Sequence, residues 1–143
     1  MTKAEKHREI FKRSLKEDMQ KVPGIHDSIY DMAVTYCAEY RMINPTSMDK
    51  LVSDLLDLNR ADYQLTSIVN DLNLELINEQ NRILEIGSGL GSFLMVARNR
   101  GLDCYGIEPN VKGVETAVKR MPELEDRISI GVGEYLPYED NTF

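Results

Sequence analysis

Three glycines at alternate positions mark the segment whose residue types point most directly to chemistry. Gly87, Gly89 and Gly91 follow a short apolar run at residues 83–86 and precede an amphipathic pattern at residues 92–99. These patterns predict a buried strand, a loop and a helix, in that order. Because glycine tolerates positive φ and has no side chain, such a loop lets a ligand approach main-chain N–H groups closely. The spacing therefore predicts a small-molecule binding loop that favours an anionic or strongly polar group.

Two carboxylates lie where they would flank a ligand bound to this loop. Glu85 is two residues before Gly87, and Glu108 follows a second predicted strand, 21 residues beyond Gly87. In a βαβ unit that separation places a carboxylate beside the ribose of a nucleotide lying across the strand ends. A carboxylate there can accept charge-assisted hydrogen bonds from both ribose hydroxyls. The other interpretation of Glu108 is a solvated carboxylate that starts the next helix, where negative charge is also favourable.

A third segment, residues 127–143, contains a further predicted strand followed by a loop with Gly133 and Glu134. In this order, the three segments resemble the motifs of class I S-adenosylmethionine-dependent methyltransferases. The first has the pattern E-x-G-x-G-x-G. The third is similar to the G-x-x-E-x-L-P-F-x-D-x-S-F stretch of the methyltransferase type 11 group, with Tyr138 in place of Phe and Thr142 in place of Ser. Many relatives have Asp where this chain has Val132, so the resemblance implies that Gly133 and Glu134 border the adenine instead.

The resemblance implies S-adenosyl-L-methionine as the cofactor and in-line transfer of its methyl group to an acceptor. It places Glu85 near the methionine amine and Glu108, with Pro109 beside it, at the ribose. The backbone of four loop residues would lie near the carboxylate and the sugar: Gly87, Ser88, Gly89 and Gly91. The residues identify neither the acceptor, a small molecule or another methyl acceptor, nor a catalytic base.

Two other functions share part of this pattern. A nicotinamide-dependent oxidoreductase would also combine a strand, a glycine loop and a ribose-binding carboxylate. Its G-x-G-x-x-G/A fingerprint, however, requires glycine or alanine where this chain has Ser92, and Glu85 has no place in it. A non-catalytic nucleotide-binding module is the other alternative, because it would need the loop and the carboxylates but no acceptor site.

The elements around the loop predict an α/β fold with a Rossmann-like parallel sheet. A partial S-adenosylmethionine-binding domain at residues 81–143 has three expected strands, near residues 82–86, 103–107 and 127–131. Residues 1–80 are expected to form an all-helical N-terminal extension or cap, with helices at about residues 3–22, 27–42, 48–58 and 61–77. Ser47 is the expected N-cap of the third helix.

The sheet of the methyltransferase family has seven strands, so the resemblance implies that this chain is a front half, truncated before the fourth strand. By the same resemblance the first strand lies at the centre of the complete sheet, and its far side would be an exposed edge here. Such an edge is a template for self-association. We therefore expect the isolated 143-residue chain to lack methyl transfer activity and to associate with itself.

Composition indicates which classes of partner and which cellular compartment to expect. The formal net charge of −7 argues against a nucleic-acid partner. The charged N-terminus lacks the apolar region of a signal peptide, and no run approaches the ~18 apolar residues of a membrane span. Cys37 and Cys104 are distant in sequence, which indicates two buried thiols in a reducing, cytoplasmic compartment. With two histidines and no C-x-x-C, no metal site is expected.

Overall fold

The computed structural model describes residues 25–40, 45–71 and 82–143. The chain divides into two compact units, Met1–Asp57 and Leu58–Phe143. The helix predicted at residues 3–22 lies outside the described residues, as do the final residues of the second and fourth predicted helices.

The described part of the first unit consists of two helices, α1 (Asp27–Tyr40) and α2 (Pro45–Leu56). α1 begins after His26, whose Nδ1 accepts a hydrogen bond from the Ser28 amide at 3.2 Å. Most of α1 is buried, including Ile29, Tyr30 and every residue from Ala33 to Ala38. α2 has proline at its first position, where an N–H would have no intrahelical partner. The prediction that Ser47 caps this helix is wrong, because the helix already includes Ser47.

The second unit begins with α3 (Leu58–Asp71), which packs against the helix that follows the glycine loop. Arg100, just past the end of that helix, donates hydrogen bonds to Asp62 Oδ1 and Thr66 Oγ1, both at 2.6 Å. The boundary between the two units therefore precedes α3. The predicted division into a helical section at residues 1–80 and a cofactor domain at residues 81–143 stays a prediction.

Three strands form a parallel sheet in the order β1 (Arg82–Ile86), β2 (Asp103–Glu108) and β3 (Ile128–Ile130). Glu85 pairs with Gly106 in the register between β1 and β2. Parallel pairing brings the carboxyl ends of all three strands to one edge of the sheet, where the glycine loop leaves β1. The predicted α/β class, with a three-stranded parallel sheet preceded by helices, is confirmed, and it is consistent with half of a Rossmann-like sheet.

Two helices connect the strands and cover one face of the sheet. α4 (Ser92–Asn99) leads from β1 to β2, and α5 (Val111–Arg120) leads to β3 through a 3₁₀ turn at Pro122–Leu124. Gly101 follows the end of α4 with φ of 78°, and its amide donates to the Arg98 carbonyl at 2.9 Å. The helices and the sheet share one apolar core, which includes Leu94, Val96, Ala97, Cys104, Ala117, Leu124 and Ile128.

The C-terminal segment, residues 131–143, packs against the opposite face of the sheet. Tyr105 of β2 points to that face, because side chains alternate along a strand. Its ring makes edge-to-face contacts with Tyr138 and Phe143, at centroid distances of 6.4 and 5.6 Å. The Arg127 guanidinium lies 4.8 Å from the centre of the same ring. These contacts fix the segment that follows β3 against the sheet.

The described residues also bear on membrane-spanning helices, cysteines and metal sites. None of the helices described there has the length and apolar character needed to cross a membrane. Cys37 and Cys104 are buried free thiols, as predicted. In residues 25–40, 45–71 and 82–143, no group of three or more His, Cys, Asp or Glu side chains is arranged to hold a metal ion.

Candidate functional site

The glycine loop connects β1 to α4 along a backbone path that favours glycine. Gly87, Gly89 and Gly91 have φ angles of 77°, 54° and 78°. A Cβ on Gly91 would lie 2.6 Å from the Ala117 Cβ, so the third glycine allows the loop to pack directly on α5. A Cβ on Gly87 would meet nothing within 4 Å. All three glycines therefore adopt the left-handed conformation in which a side chain is strained.

Four amides of this loop donate hydrogen bonds within the protein. The amides of Gly87 and Ser88 donate to the Ile107 carbonyl, at 2.8 and 3.1 Å. The Gly91 amide donates to the Ser88 carbonyl at 2.9 Å, and the Gly89 amide donates to a carboxylate of β2 at 2.8 Å. These four N–H groups therefore have protein acceptors already, while the expectation of an anionic or strongly polar ligand group at the loop stays a prediction.

Glu108 supplies the carboxylate that holds the loop at the end of β2. Its side chain is 1% exposed, and its Oε2 accepts from the Gly89 amide at 2.8 Å and its Oε1 from the Asn110 amide at 2.9 Å. The Asn110 side chain caps α5 by accepting from the amides of Lys112 and Gly113. The interpretation of Glu108 as a solvated surface carboxylate is thereby excluded. Each carboxylate oxygen has the capacity to accept more than one hydrogen bond.

Two polar side-chain atoms beside the loop are shielded from solvent and lack a partner. Glu85 Oε2 and Ser88 Oγ have no hydrogen-bond partner among the described residues. Both adjoin Gly106, because Glu85 pairs with Gly106 in the ladder and Ser88 Oγ lies 2.9 Å from the position a Gly106 Cβ would take. Buried polar atoms of this kind indicate a polar ligand group or a water at this point.

The electrostatics at Glu85 are unfavourable for negative charge. Burial and, secondly, the negative charge of Glu108 raise the pKa of Glu85 to about 8. A carboxyl group with such a pKa carries its proton at neutral pH. The protonated state changes what Glu85 can do, because a neutral carboxyl donates one hydrogen bond as well as accepting others.

Arg120 anchors the far end of the loop, a role that the sequence patterns do not reveal. Its Nη1 donates hydrogen bonds to the Leu90 carbonyl and to Ser92 Oγ, each at 2.7 Å. Burial lowers the pKa of Arg120 to about 10, which leaves it charged at neutral pH. The available signal is its position in the last turn of α5, but a basic residue there is also typical of a helix end facing solvent.

Replacing Arg120 with methionine should loosen the loop, because the Leu90 carbonyl and the Ser92 hydroxyl lose a buried donor. We expect the free energy of unfolding, measured by urea denaturation, to fall by roughly 1–3 kcal/mol. The neighbouring Lys119 is exposed, so Lys119→Met provides the matched control and should change stability little. Equal stabilities for the two variants would show that Arg120 does not hold the loop.

One residue of the third sequence segment, Gly133, lies at the carboxyl edge of the sheet. Gly133 lies beside the end of β1, since a Cβ there would be 2.9 Å from Ile86 Cγ2. Glu134 and Pro109 are exposed. The structure therefore brings together Glu85, the glycine loop and Glu108, with Gly133 at the same edge. Glu134 and Pro109 lie on the surface, and neither contributes a hydrogen bond that defines the site.

Apolar side chains stand exposed at the same edge. Ile86 at the end of β1 is 60% exposed and Ile130 at the end of β3 is 57% exposed. Val111, which opens α5, is 50% exposed. Aliphatic side chains around a small polar corner suit a ligand that combines an apolar ring with charged groups.

A partial similarity to a known enzyme accompanies this geometry. No family model matches the chain. A stretch of 60 residues is 43% identical to Peramine synthetase ppzA of Metarhizium rileyi (strain RCEF 4871). This stretch covers 38% of the present chain and 2% of the fungal protein. The chain thus spans a small fraction of the length of the curated relative it matches, and this similarity assigns no family.

Proposed function

We propose that the chain binds S-adenosyl-L-methionine at the carboxyl edge of its sheet, as the cofactor-binding part of a methyltransferase. The observation that carries the proposal is the acidic corner beside the loop. The negative charge of Glu108 raises the pKa of Glu85 there, and four loop amides already have acceptors within the protein. Such a corner suits a ligand with positive charge and hydroxyl groups rather than phosphates. S-adenosylmethionine has an ammonium group, a sulfonium centre, two ribose hydroxyls and no phosphate.

The same observation disfavours a nicotinamide dinucleotide. A pyrophosphate requires free main-chain N–H groups and is repelled by adjacent carboxylates. The Gly87 and Gly89 amides donate within the protein. Arg120, the cation that contacts the loop, donates to Leu90 and Ser92 instead.

The residues present fit S-adenosylmethionine at three points. Glu85 Oε2 and Ser88 Oγ would accept hydrogen bonds from the methionine amine. Glu108 keeps lone pairs for the ribose hydroxyls. The exposed aliphatic side chains at the strand ends would border the adenine, with Gly133 beside them and Glu134 on the adjoining surface.

When bound, S-adenosylmethionine supplies a methyl group on a sulfonium centre, which is already a good leaving group. The contribution of this chain is then to bind the cofactor and fix its orientation. The similarity to a stretch of a synthetase is compatible with an enzymatic role but names no acceptor for this chain. We also place the protein in the cytoplasm, because two buried free thiols suit a reducing compartment.

Calorimetric titrations of the chain with S-adenosylhomocysteine and, separately, with NADH test this proposal. We expect S-adenosylhomocysteine to bind with a micromolar Kd and NADH to produce no binding heat. The opposite pattern would assign the site to a dinucleotide. Binding of neither ligand would leave the proposal refuted.

A substitution of Gly89 by valine should abolish S-adenosylhomocysteine binding. A β-branched side chain at φ of 54° strains the loop by about 1–3 kcal/mol and disturbs the hydrogen bond to Glu108. Gly101→Val is the matched control, because Gly101 has positive φ as well but follows the end of α4, away from the glycine loop. A Cβ on Gly101 would meet nothing within 4 Å. The control should keep the native Kd. Native affinity in the Gly89 variant would show that the loop is only a turn.

A further inference from the structure

We infer that the hydrogen bond from the Gly89 amide to Glu108 is an autoinhibitory contact, which keeps the ligand-free site closed until a ligand hydroxyl replaces the amide. The inference rests on the proposed function, since it concerns how Glu108 receives the ribose of an S-adenosyl ligand. On binding, the Gly89 amide leaves Glu108 Oε2, and a ribose hydroxyl donates to this oxygen instead.

Both carboxylate oxygens of Glu108 are bonded within the protein and enclosed by it. Oε2 accepts from the Gly89 amide at 2.8 Å, and Oε1 accepts from the Asn110 amide at 2.9 Å. Glu108 is 1% exposed, and Gly89 is itself buried. A hydroxyl group must come within about 3 Å of an oxygen to donate to it. A ligand arriving from solvent therefore reaches this carboxylate only after one of the two amides has moved.

The local structure allows the Gly89 amide to move and holds the Asn110 amide in place. Asn110 is fixed by its own side chain, which accepts from the amides of Lys112 and Gly113 at 2.8 and 3.3 Å. Gly89 has φ of 54°, and glycine adopts φ of the opposite sign about as readily. The bond from Asn110 keeps the carboxylate in position while its other oxygen exchanges partners.

The loop is anchored on both sides of Gly89, so its centre can move while its ends stay in place. Before Gly89, the Gly87 amide donates to the Ile107 carbonyl at 2.8 Å. After Gly89, the Arg120 guanidinium donates to the Leu90 carbonyl at 2.7 Å. Neither anchor involves the peptide group that carries the Gly89 N–H.

The peptide group between Ser88 and Gly89 is the part that must rotate. Its N–H donates to Glu108, and its carbonyl accepts from the Gly91 amide at 2.9 Å. Rotation gives up both hydrogen bonds, so ligand binding has to offset their loss. The apparent affinity is lowered in proportion to the small fraction of molecules in which the site is open.

The test replaces Gly89 with glycolic acid by semisynthesis of the 143-residue chain, which puts an ester oxygen in place of the backbone N–H. Unlike Gly89→Val, this exchange removes the donor without adding a side chain. S-adenosylhomocysteine should then bind roughly tenfold more tightly in a calorimetric titration, because no internal donor competes with the ribose hydroxyl. The same exchange at Gly101, whose amide donates to the Arg98 carbonyl outside the loop, is the matched control and should leave the Kd unchanged.

A second ligand separates this inference from the proposed function. The 2′,3′-dideoxy analogue of S-adenosylhomocysteine has no ribose hydroxyl to donate to Glu108, so it should bind the native chain and the Gly89 ester with equal Kd. Tighter binding of this analogue to the ester, or unchanged or weaker binding of S-adenosylhomocysteine, would contradict the exchange and leave the proposed function intact. Absence of S-adenosylhomocysteine binding to the native chain would instead refute the proposed function.

The native chain provides a readout that does not depend on whether the ester folds. In the closed form the Gly89 amide proton donates a charge-assisted hydrogen bond, and such protons resonate downfield. We expect this resonance to move upfield when an isotope-labelled chain is saturated with S-adenosylhomocysteine, while the Gly101 amide resonance stays in place. A Gly89 resonance that remains downfield in the saturated chain would show that the hydrogen bond persists in the bound state, and the inference would be wrong.

Discussion

Replacing Glu85 with glutamine should make the folded protein more stable than the native chain above pH 8. Burial and the Glu108 charge raise the pKa of Glu85 from 4.5 to about 8 in the folded state. The unfolded chain keeps the ordinary value, so between these limits the folded state binds more protons than the unfolded state. The free energy of unfolding therefore falls as pH rises from 4.5 to 8 and levels off above that. The full loss is roughly 3–5 kcal/mol.

Urea unfolding of the ligand-free chain at pH 5, 6.5 and 8.5 measures this effect. Glutamine cannot ionise, so the variant should approach native stability at pH 5 and exceed it increasingly at higher pH. Glu123 is exposed, and Glu123→Gln should follow the native chain at every pH. If native and Glu85→Gln proteins lose stability in parallel, Glu85 does not hold a proton in the folded state.

The three strands and the helix α4 were predictable because their signals are local. The strand β1 is a short apolar run that ends at glycine, and Gly101, with φ of 78°, follows the end of α4. The first residue of α2 was not predictable, because Pro45 and Ser47 are both suitable residues for a helix N-terminus. The unit to which α3 belongs depends on contacts such as Arg100 with Asp62, which are 38 residues apart and leave no local pattern.

The candidate site was likewise predictable only in part. The spacing of Glu85 and Glu108 relative to the loop predicted that they lie at one edge of the sheet, and the parallel register places them there. Spacing does not specify acceptors, however. The Ile107 carbonyl takes two loop amides and Glu108 takes a third, so the loop holds fewer free donors than its glycines suggest. Arg120 is 30 residues from the Leu90 carbonyl it binds, so only the fold brings the two together.

Truncating Glu108 to alanine should reduce both the stability of the fold and the affinity for ligand. The Gly89 and Asn110 amides would each lose the acceptor they have in the 1% exposed carboxylate. An unsatisfied buried donor costs about 1–3 kcal/mol, so we expect the loss of two acceptors to lower the free energy of unfolding by roughly 2–6 kcal/mol. Glu134 is an exposed carboxylate of the same region, and its replacement by alanine should leave the free energy of unfolding unchanged.

The affinity of Glu108 variants separates the role of this residue in holding the loop from its role at the ribose. Charge-assisted hydrogen bonds to ribose hydroxyls contribute about 1.5–3 kcal/mol each, so Glu108→Ala should bind S-adenosylhomocysteine more than tenfold more weakly. Glu108→Gln retains one oxygen acceptor but no charge, so it should recover part of the stability while binding stays weak. If Glu108→Gln is destabilised but binds with the native Kd, the carboxylate holds the loop and does not contact the ligand. If Glu108→Ala unfolds at the native denaturant concentration, the two amides have found other acceptors and the carboxylate does not hold the loop.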